Sequence, residues 1–301
     1  MKNPWIVVVL MLVCFSCMSP DLENPTDAFA TAQRVAELDN KKLTEISGIA
    51  ASRRNPGMFW VHNDSGNDPE IFLIDSLLTI HLTCRIGEVE NRDWEDIAVG
   101  PGPADSTWYV YVGEIGDNRA RYPFKHIYRF EEPVLAAGGK KLTIQTFDTI
   151  TFRLEDKTKD TETLLIDPIT KSLFVISKRE EPVWLYELPF PHSTRDTLTA
   201  RKVTSIPFTQ IVGGDVRSDG RQILLKNYEH VYYWRADSAM TVGELLKTTA
   251  FEVPYEIEPQ GEALTWAHDN AGFYTLSEKN VGKKTFLYYY DYKESDRQRT
   301  E

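Results

Sequence analysis

Short apolar stretches alternate with polar turns along most of the chain. The first block covers residues 48–51, turns through Arg53-Arg54-Asn55-Pro56-Gly57, and resumes at Met58-Phe59-Trp60-Val61-His62. After a second turn at Asn63-Asp64-Ser65-Gly66 it continues with Ile71-Phe72-Leu73-Ile74 and Ile80-His81-Leu82-Thr83. Brief runs rich in β-branched and aromatic residues, bounded by Gly, Pro, Asn and Asp, predict strands rather than helices. A second block repeats the plan at residues 108–112, 126–130 and 149–152, its longer interval assigned to a loop insertion around residues 136–140. Third and fourth blocks place second strands at 173–176 and 223–225, and aromatic third strands at Trp184-Leu185-Tyr186 and Val231-Tyr232-Tyr233-Trp234. The fifth offers 273–276 and 286–290 but little for a fourth strand. Residues 32–36 are expected to fill that place by pairing with the last block.

Each block opens on a related phrase: Ile46-Ser47-Gly48-Ile49-Ala50, Trp94-Glu95-Asp96-Ile97-Ala98, Thr161-Glu162-Thr163-Leu164-Leu165, Gly213-Gly214-Asp215-Val216 and Gly261-Glu262-Ala263-Leu264. Aligned on Ser47, Glu95, Glu162, Gly214 and Glu262, the steps are 48, 67, 52 and 48 residues, the period of a propeller blade. The expected fold is therefore all-β: a β-propeller of five four-stranded blades, closed by the N-terminal strand so that no sheet edge is left open.

If the phrase begins the innermost strand of each blade, its polar residues converge on a central channel. Antiparallel pairing then brings the ends of the second strands to the same face. Those ends carry Asn63 and Asp64, Glu114 with Asp117 and Asn118, Lys178 and Arg179, Lys226, and Lys279. The expected face has an acidic centre of Glu95, Glu162 and Glu262, with Ser47 and Asp215, ringed by Lys178, Arg179, Lys226 and Lys279. Three glutamates in one channel repel one another unless a cation lies between them. Oxygen-only donors favour Ca²⁺ over Zn²⁺, since no Cys or His cluster has zinc spacing. The alternative is that these groups bond backbone amides and water as structural plugs. Asp64 and Asp117 also sit beside Gly-containing turns, where Asp is common for turn reasons alone.

A net charge of −11 argues against a nucleic-acid binder. At the N-terminus, Lys2 precedes an apolar run from Trp5 to Phe15, too short for the ~20 residues of a spanning helix, and Ser16-Cys17 follows. Residues 1–17 read as a lipoprotein signal peptide with Cys17 as the lipidated residue, 18–30 as a polar tether, and 31–301 as one propeller domain. An exported bacterial lipoprotein, held at the outer membrane or cell surface only through its lipid, is the expectation. Removal of Cys14 and acylation of Cys17 would leave Cys84 without an intramolecular disulfide partner.

The order Ser, Glu, Glu, small residue, Glu at the anchors resembles the calcium-activated nucleotidase (apyrase) family, five-bladed propellers with a channel Ca²⁺. Val112-Gly113-Glu114-Ile115-Gly116-Asp117 resembles the Gly-rich end of that family's corresponding strand, and Asn63-Asp64 its acidic turn. The resemblance implies that Ser47, Glu95, Glu162 and Glu262 are metal ligands and that Asp64 orients the attacking water. It departs from the family at Gly214, where a Ser ligand is expected, and at Asp96, an extra acid. Glu45-Ile46-Ser47-Gly48, Asp93-Trp94-Glu95-Asp96 and Gln260-Gly261-Glu262-Ala263 also resemble uncharacterised bacterial propellers and the esterase-like relatives of phytase.

Two functions follow as expectations. One is a Ca²⁺-dependent hydrolase of an anionic phosphoester or phosphoanhydride, with Asp64 or Glu114 as base and with Asn63, Asp117, Asn118, Lys178, Arg179, Lys226 and Lys279 facing substrate. The other is a non-catalytic surface propeller whose Ca²⁺ is structural and whose polar face docks a glycan or protein.

Overall fold

Alternation of the kind described above should leave strands with one or both faces buried and little helix. The protein, described here by a computed structural model, has that composition over residues 27–136, 139–236, 238, 240–280 and 282–293. Cys17 and the rest of the expected 1–17 signal segment lie outside the described residues, as does most of the expected tether. No helix among the described residues is long and apolar enough to cross a membrane.

Twenty-one strands are formed among the described residues. They are β1 (Gln33–Glu37), β2 (Ile46–Ala51), β3 (Met58–Asn63), β4 (Glu70–Asp75), β5 (Ile80–Ile86), β6 (Trp94–Pro101) and β7 (Trp108–Glu114). Next come β8 (Lys125–Glu131), β9 (Lys141–Ile144), β10 (Asp148–Leu154), β11 (Thr161–Ile166), β12 (Leu173–Ser177), β13 (Val183–Leu188) and β14 (Leu198–Ile206). The chain ends with β15 (Gly213–Val216), β16 (Gln222–Lys226), β17 (Val231–Arg235), β18 (Phe251–Val253), β19 (Ala263–Trp266), β20 (Gly272–Leu276) and β21 (Phe286–Asp291). A single-turn helix, α1 (Val242–Leu245), is opened by a capping box between Thr241 and Glu244.

Hydrogen bonding groups the strands into sheets ordered β2-β3-β4-β5-β9, β6-β7-β8-β10-β14-β13-β12-β11, β15-β16-β17-β18 and β19-β20-β21-β1. The N-terminal β1 pairs with β21, Gln33 opposite Tyr289 and Glu37 opposite Phe286, and a bridge from Phe29 to Tyr292 extends the pairing. Two features differ from the sequence expectation. The segment after the 136–140 insertion forms β9, which adds in parallel to β5, and β10 joins β14 in parallel, so two antiparallel runs merge into one eight-stranded sheet. Both pairings cover strands that would otherwise present unpaired edges.

The inner strands contact one another in the closed order β2, β6, β11, β15, β19 and back to β2, a propeller-like ring. An apolar core fills the space between each run and the next. Trp60, Leu73 and Trp94 lie between the β2 and β6 runs, and Tyr111, Ile150 and Leu164 between the β6 and β11 runs. Ile176, Leu225 and Trp234 follow, then Leu224, Trp266 and Phe273, and finally Ile46, Val61 and Leu287. The aromatic third strands supply much of this packing: Tyr186, Tyr233, Trp234 and Tyr290 are buried. Cys84 is buried in the same way, an inert thiol whose pKa burial pushes up to about 12.

Candidate functional site: an acidic cluster on the inner strands

Three inner strands carry the same local irregularity. Pairing slips between Ile46 and Gly48, between Trp94 and Asp96, and between Thr161 and Thr163, leaving Ser47, Glu95 and Glu162 as the extra residue of a bulge. A bulge re-aims its extra side chain out of the sheet's alternation. The anchors read from the sequence are therefore singled out by backbone geometry as well as by position.

β15 has no slip, and Gly213 and Gly214 pair in register. A Cβ on Gly213 would collide with the Glu262 carbonyl oxygen, so only glycine allows β15 to approach β19 this closely. This explains why the fourth anchor carries no side chain. Asp215, expected as a metal ligand, is engaged elsewhere: its Oδ2 accepts from Trp266 N and Thr265 Oγ1, both at 2.9 Å, and its Oδ1 from Val216 N at 2.8 Å. Asp96 does the same between β6 and β11, accepting from Leu164 N at 2.9 Å and Ile97 N at 2.8 Å. These two carboxylates, Asp96 buried and Asp215 partly so, tie neighbouring inner strands together.

Glu95 stands at the centre of the cluster. Single carboxylate oxygens of Asp64, Asp93 and Glu95 lie within 4.8 Å of one another, and so do those of Glu95, Asp160 and Glu162. The anchor phrases by themselves give Asp93 and Asp160 no role. The signal was present as an Asp two positions before a bulged Glu, in Asp93-Trp94-Glu95 and again in Asp160-Thr161-Glu162. Asn91 holds the first group together. Its Nδ2 donates to the carbonyls of Asn63 and Asp64 at 3.1 and 2.8 Å, and its Oδ1 accepts from Trp94 N at 3.1 Å. The Asp64 turn is thereby clamped against the start of β6. Gly116 closes the other side: a Cβ there would collide with Glu95 Oε1 and lie 2.6 Å from Asp93 Oδ2.

Glu262 sits beside this group. It accepts from Tyr228 Oη at 2.7 Å and from Ser47 Oγ at 3.3 Å, while the same Ser47 hydroxyl lies 2.8 Å from the Glu95 carbonyl. Lys178, expected on the rim, is instead buried among the acids. Its Nζ is 2.9 Å from Glu162 Oε1 and 3.9 Å from Glu262 Oε1. Arg179 Nε pairs with Asp160 Oδ2 at 2.7 Å, and its guanidinium also donates to Asn118.

The remaining expected site residues are engaged outside the cluster. Lys226 is fully buried, 3.5 Å from Glu258, and the exposed side of Lys279 pairs with Asp39 at 3.3 Å. Glu114 accepts from Tyr128 at 2.9 Å and pairs with Arg92 at 3.2 Å, which leaves it poorly placed to take a proton from water. Asn63 bonds Glu45 N and the Lys42 carbonyl, and Asp117 bonds the amides of Arg121 and Tyr122. These groups build loops, because buried turn backbone needs polar partners.

Crowding sets the electrostatics. Burial, then the charges of neighbouring acids, raises the Glu95 carboxyl well above its usual range, and it shares a hydrogen bond with Glu162, which burial also raises. Burial pushes Asp93 up to about 6, helped by Asp64 and Asp160, and raises Asp64, helped by Glu262 and Glu45. Glu278 rises to about 7 through burial and the same neighbours. Burial works against charge on Lys178, but Glu162 and Glu262 outweigh it and raise its pKa.

The donors around Glu95 are all hard oxygens, the Asp93 carboxylate accepts no hydrogen bond and forms no ion pair with a described residue, and Gly116 leaves the space beside them free of a Cβ. This set fits a hard divalent cation such as Ca²⁺.

No protein-family model and no curated protein matches the sequence. Among solved structures, the chain is similar to a luciferin-regenerating enzyme at 8% identity and a TM-score of 0.46, over 87% of this chain and 95% of that one.

Proposed function

We infer that the chain is a five-bladed β-propeller lipoprotein, anchored through Cys17, that acts as a Ca²⁺-dependent hydrolase of a phosphoester or phosphoanhydride. The observation that carries this reading is the buried oxygen-only cluster around Glu95, with Lys178 buried beside it and Arg179 at its edge. Bound there, Ca²⁺ would draw charge from phosphate oxygens and offset the carboxylate crowding. Asp64 is the half-buried member of the cluster, so it is the carboxylate that reaches water. Its raised pKa makes it a better proton acceptor than an ordinary Asp. Arg179, about half exposed, is placed to meet an anionic group. The test is hydrolysis of nucleotides, phytate and simple phosphoesters with Ca²⁺ or chelator, in the wild type and in Asp64→Asn. The reading expects Ca²⁺-stimulated turnover that falls by roughly a hundredfold in the variant even at saturating Ca²⁺.

One observation favours the second reading, a non-catalytic surface module that docks a glycan or protein. Lys226, Lys279, Asn63, Asp117 and Glu114 are all engaged away from the acids, so little of the expected substrate rim remains beside them. Absence of hydrolysis across the panel, with Ca²⁺ still bound, selects that reading.

A further inference from the structure

Resting on the cation reading above, we propose that the ion is held on one side of the cluster by Asp64, Asp93 and Glu95, and that Lys178 takes the place of a cation between Glu162 and Glu262. This differs from the ligand set expected from the inner-strand anchors alone.

The two sides of the cluster are unequally compensated. On the far side every carboxylate already has a partner. Asp160 accepts from Asp117 N at 2.8 Å and pairs with Arg179 at 2.7 Å. Glu162 holds the Lys178 ammonium at 2.9 Å, and Glu262 accepts from Tyr228 at 2.7 Å with Lys178 at 3.9 Å. On the near side the picture reverses. Asp93 is only 9% exposed, yet its carboxylate accepts no hydrogen bond and forms no ion pair with any described residue, although one oxygen points into the group. Asp64 accepts from the amide of Ser65, and Glu95 is partnered by the carboxyl of Glu162. No ion pair reaches any of these three carboxylates from the described residues. Lys125 and Arg92 act on Asp93, and Lys178 on Asp64, only from beyond ion-pair distance. Buried carboxylates so weakly compensated are costly, and a bound cation removes that cost without protonating them.

Geometry fits the same assignment. Ligand oxygens on one Ca²⁺ lie at about 2.3–2.6 Å from it, so a pair on opposite sides is separated by roughly 5 Å. The three near-side oxygens fall within 4.8 Å of one another. Asn91 fixes the Asp64 turn to the strand that carries Asp93 and Glu95, and Gly116 keeps the space beside them open. Asn91 is thus a positioning residue for the ion. Half-buried Asp64 leaves the site open toward solvent, where water or a substrate oxygen completes the coordination.

The test uses Tb³⁺ as a luminescent probe, excited through tryptophan, with Ca²⁺ as competitor. Trp94 lies between Asp93 and Glu95 in the chain, so a near-side ion is close to a sensitiser. Wild-type protein should bind Tb³⁺ and release it to Ca²⁺. Asp93→Asn should weaken binding at least about a hundredfold, Asn91→Ala about tenfold to a hundredfold, and Glu262→Gln by less than about threefold. Should Asp93→Asn fail to fold, Asn91→Ala, which keeps every carboxylate, decides the matter. Loss of binding in Glu262→Gln with retention in Asp93→Asn or Asn91→Ala overturns this placement. Absence of Tb³⁺ and Ca²⁺ binding to the wild type overturns the cation reading itself.

Discussion

Replacing Asp93 with Asn removes one charge from the crowded group while keeping the side chain's size. Burial and the neighbouring acids move this carboxyl from 3.8 to about 6 in the folded protein. A carboxyl with a raised folded-state pKa binds its proton more tightly when folded, so its stabilising effect is present at low pH and is lost as pH rises through the folded value. The shift corresponds to at most about 3 kcal/mol of destabilisation by the ionised group well above pH 6. Metal-free Asp93→Asn should therefore be more stable than wild type at about pH 8, with the difference fading toward about pH 4. For a domain of this size each kcal/mol moves the melting temperature by roughly 2–4 °C, so the expected rise is up to about 10 °C. Calcium should close most of that gap: wild type gains about 2.7 kcal/mol at a free concentration of 100 times Kd, and the variant gains little. Differential scanning fluorimetry across pH, in chelator and in Ca²⁺, reads all of this. A variant less stable than wild type in chelator at alkaline pH would refute the reasoning, because it would show that the carboxylate is a bonded structural group.

Three further outcomes follow from other parts of the molecule. Asp215→Ala leaves the buried Trp266 amide without its acceptor and should cost about 1–3 kcal/mol in urea denaturation, with Tb³⁺ affinity unchanged because the residue is outside the cluster. Gly116→Ala should both destabilise the fold by about 1–3 kcal/mol and weaken Tb³⁺ binding, since the new methyl collides with Glu95 beside Asp93. His192 is held neutral by burial, opposed by its bond to the Leu188 carbonyl, with its pKa lowered from 6.5 to about 4. Stability should fall as pH drops from about 6.5 toward 4, by at most about 3 kcal/mol from this residue, and His192→Gln should flatten that part of the profile.

Strand alternation and turn chemistry are local, and for that reason the strands, the anchor spacing and the pairing of Gln33–Glu37 with Phe286–Asp291 were legible in the sequence. Parallel joining of β10 to β14, and of β9 to β5, was not, because it depends on which edges meet after the ring has closed. The site shows the same division. Glu95 and Glu162 were marked by their phrases, but Lys178 and Lys226 occupy equivalent positions just after or at the end of a second strand. One meets Glu162 and the other Glu258, and no offset along the chain distinguishes those partners. Asp215 follows its anchor by one position, as Asp96 does, and both reach backbone of the next inner strand rather than the cluster. Asp93 and Asp160 share an Asp-x-Glu spacing, but each lies just before its strand and the bulge at the Glu breaks the alternation, so strand geometry alone did not point to them.

The most direct measurement is an anomalous difference map from crystals of the protein grown with Tb³⁺. The account predicts a peak about 2.3–2.6 Å from carboxylate oxygens of Asp64, Asp93 and Glu95, with the Lys178 ammonium still against Glu162. A peak among Ser47, Glu162 and Glu262 with Lys178 displaced, or no peak in the cluster at all, would contradict it.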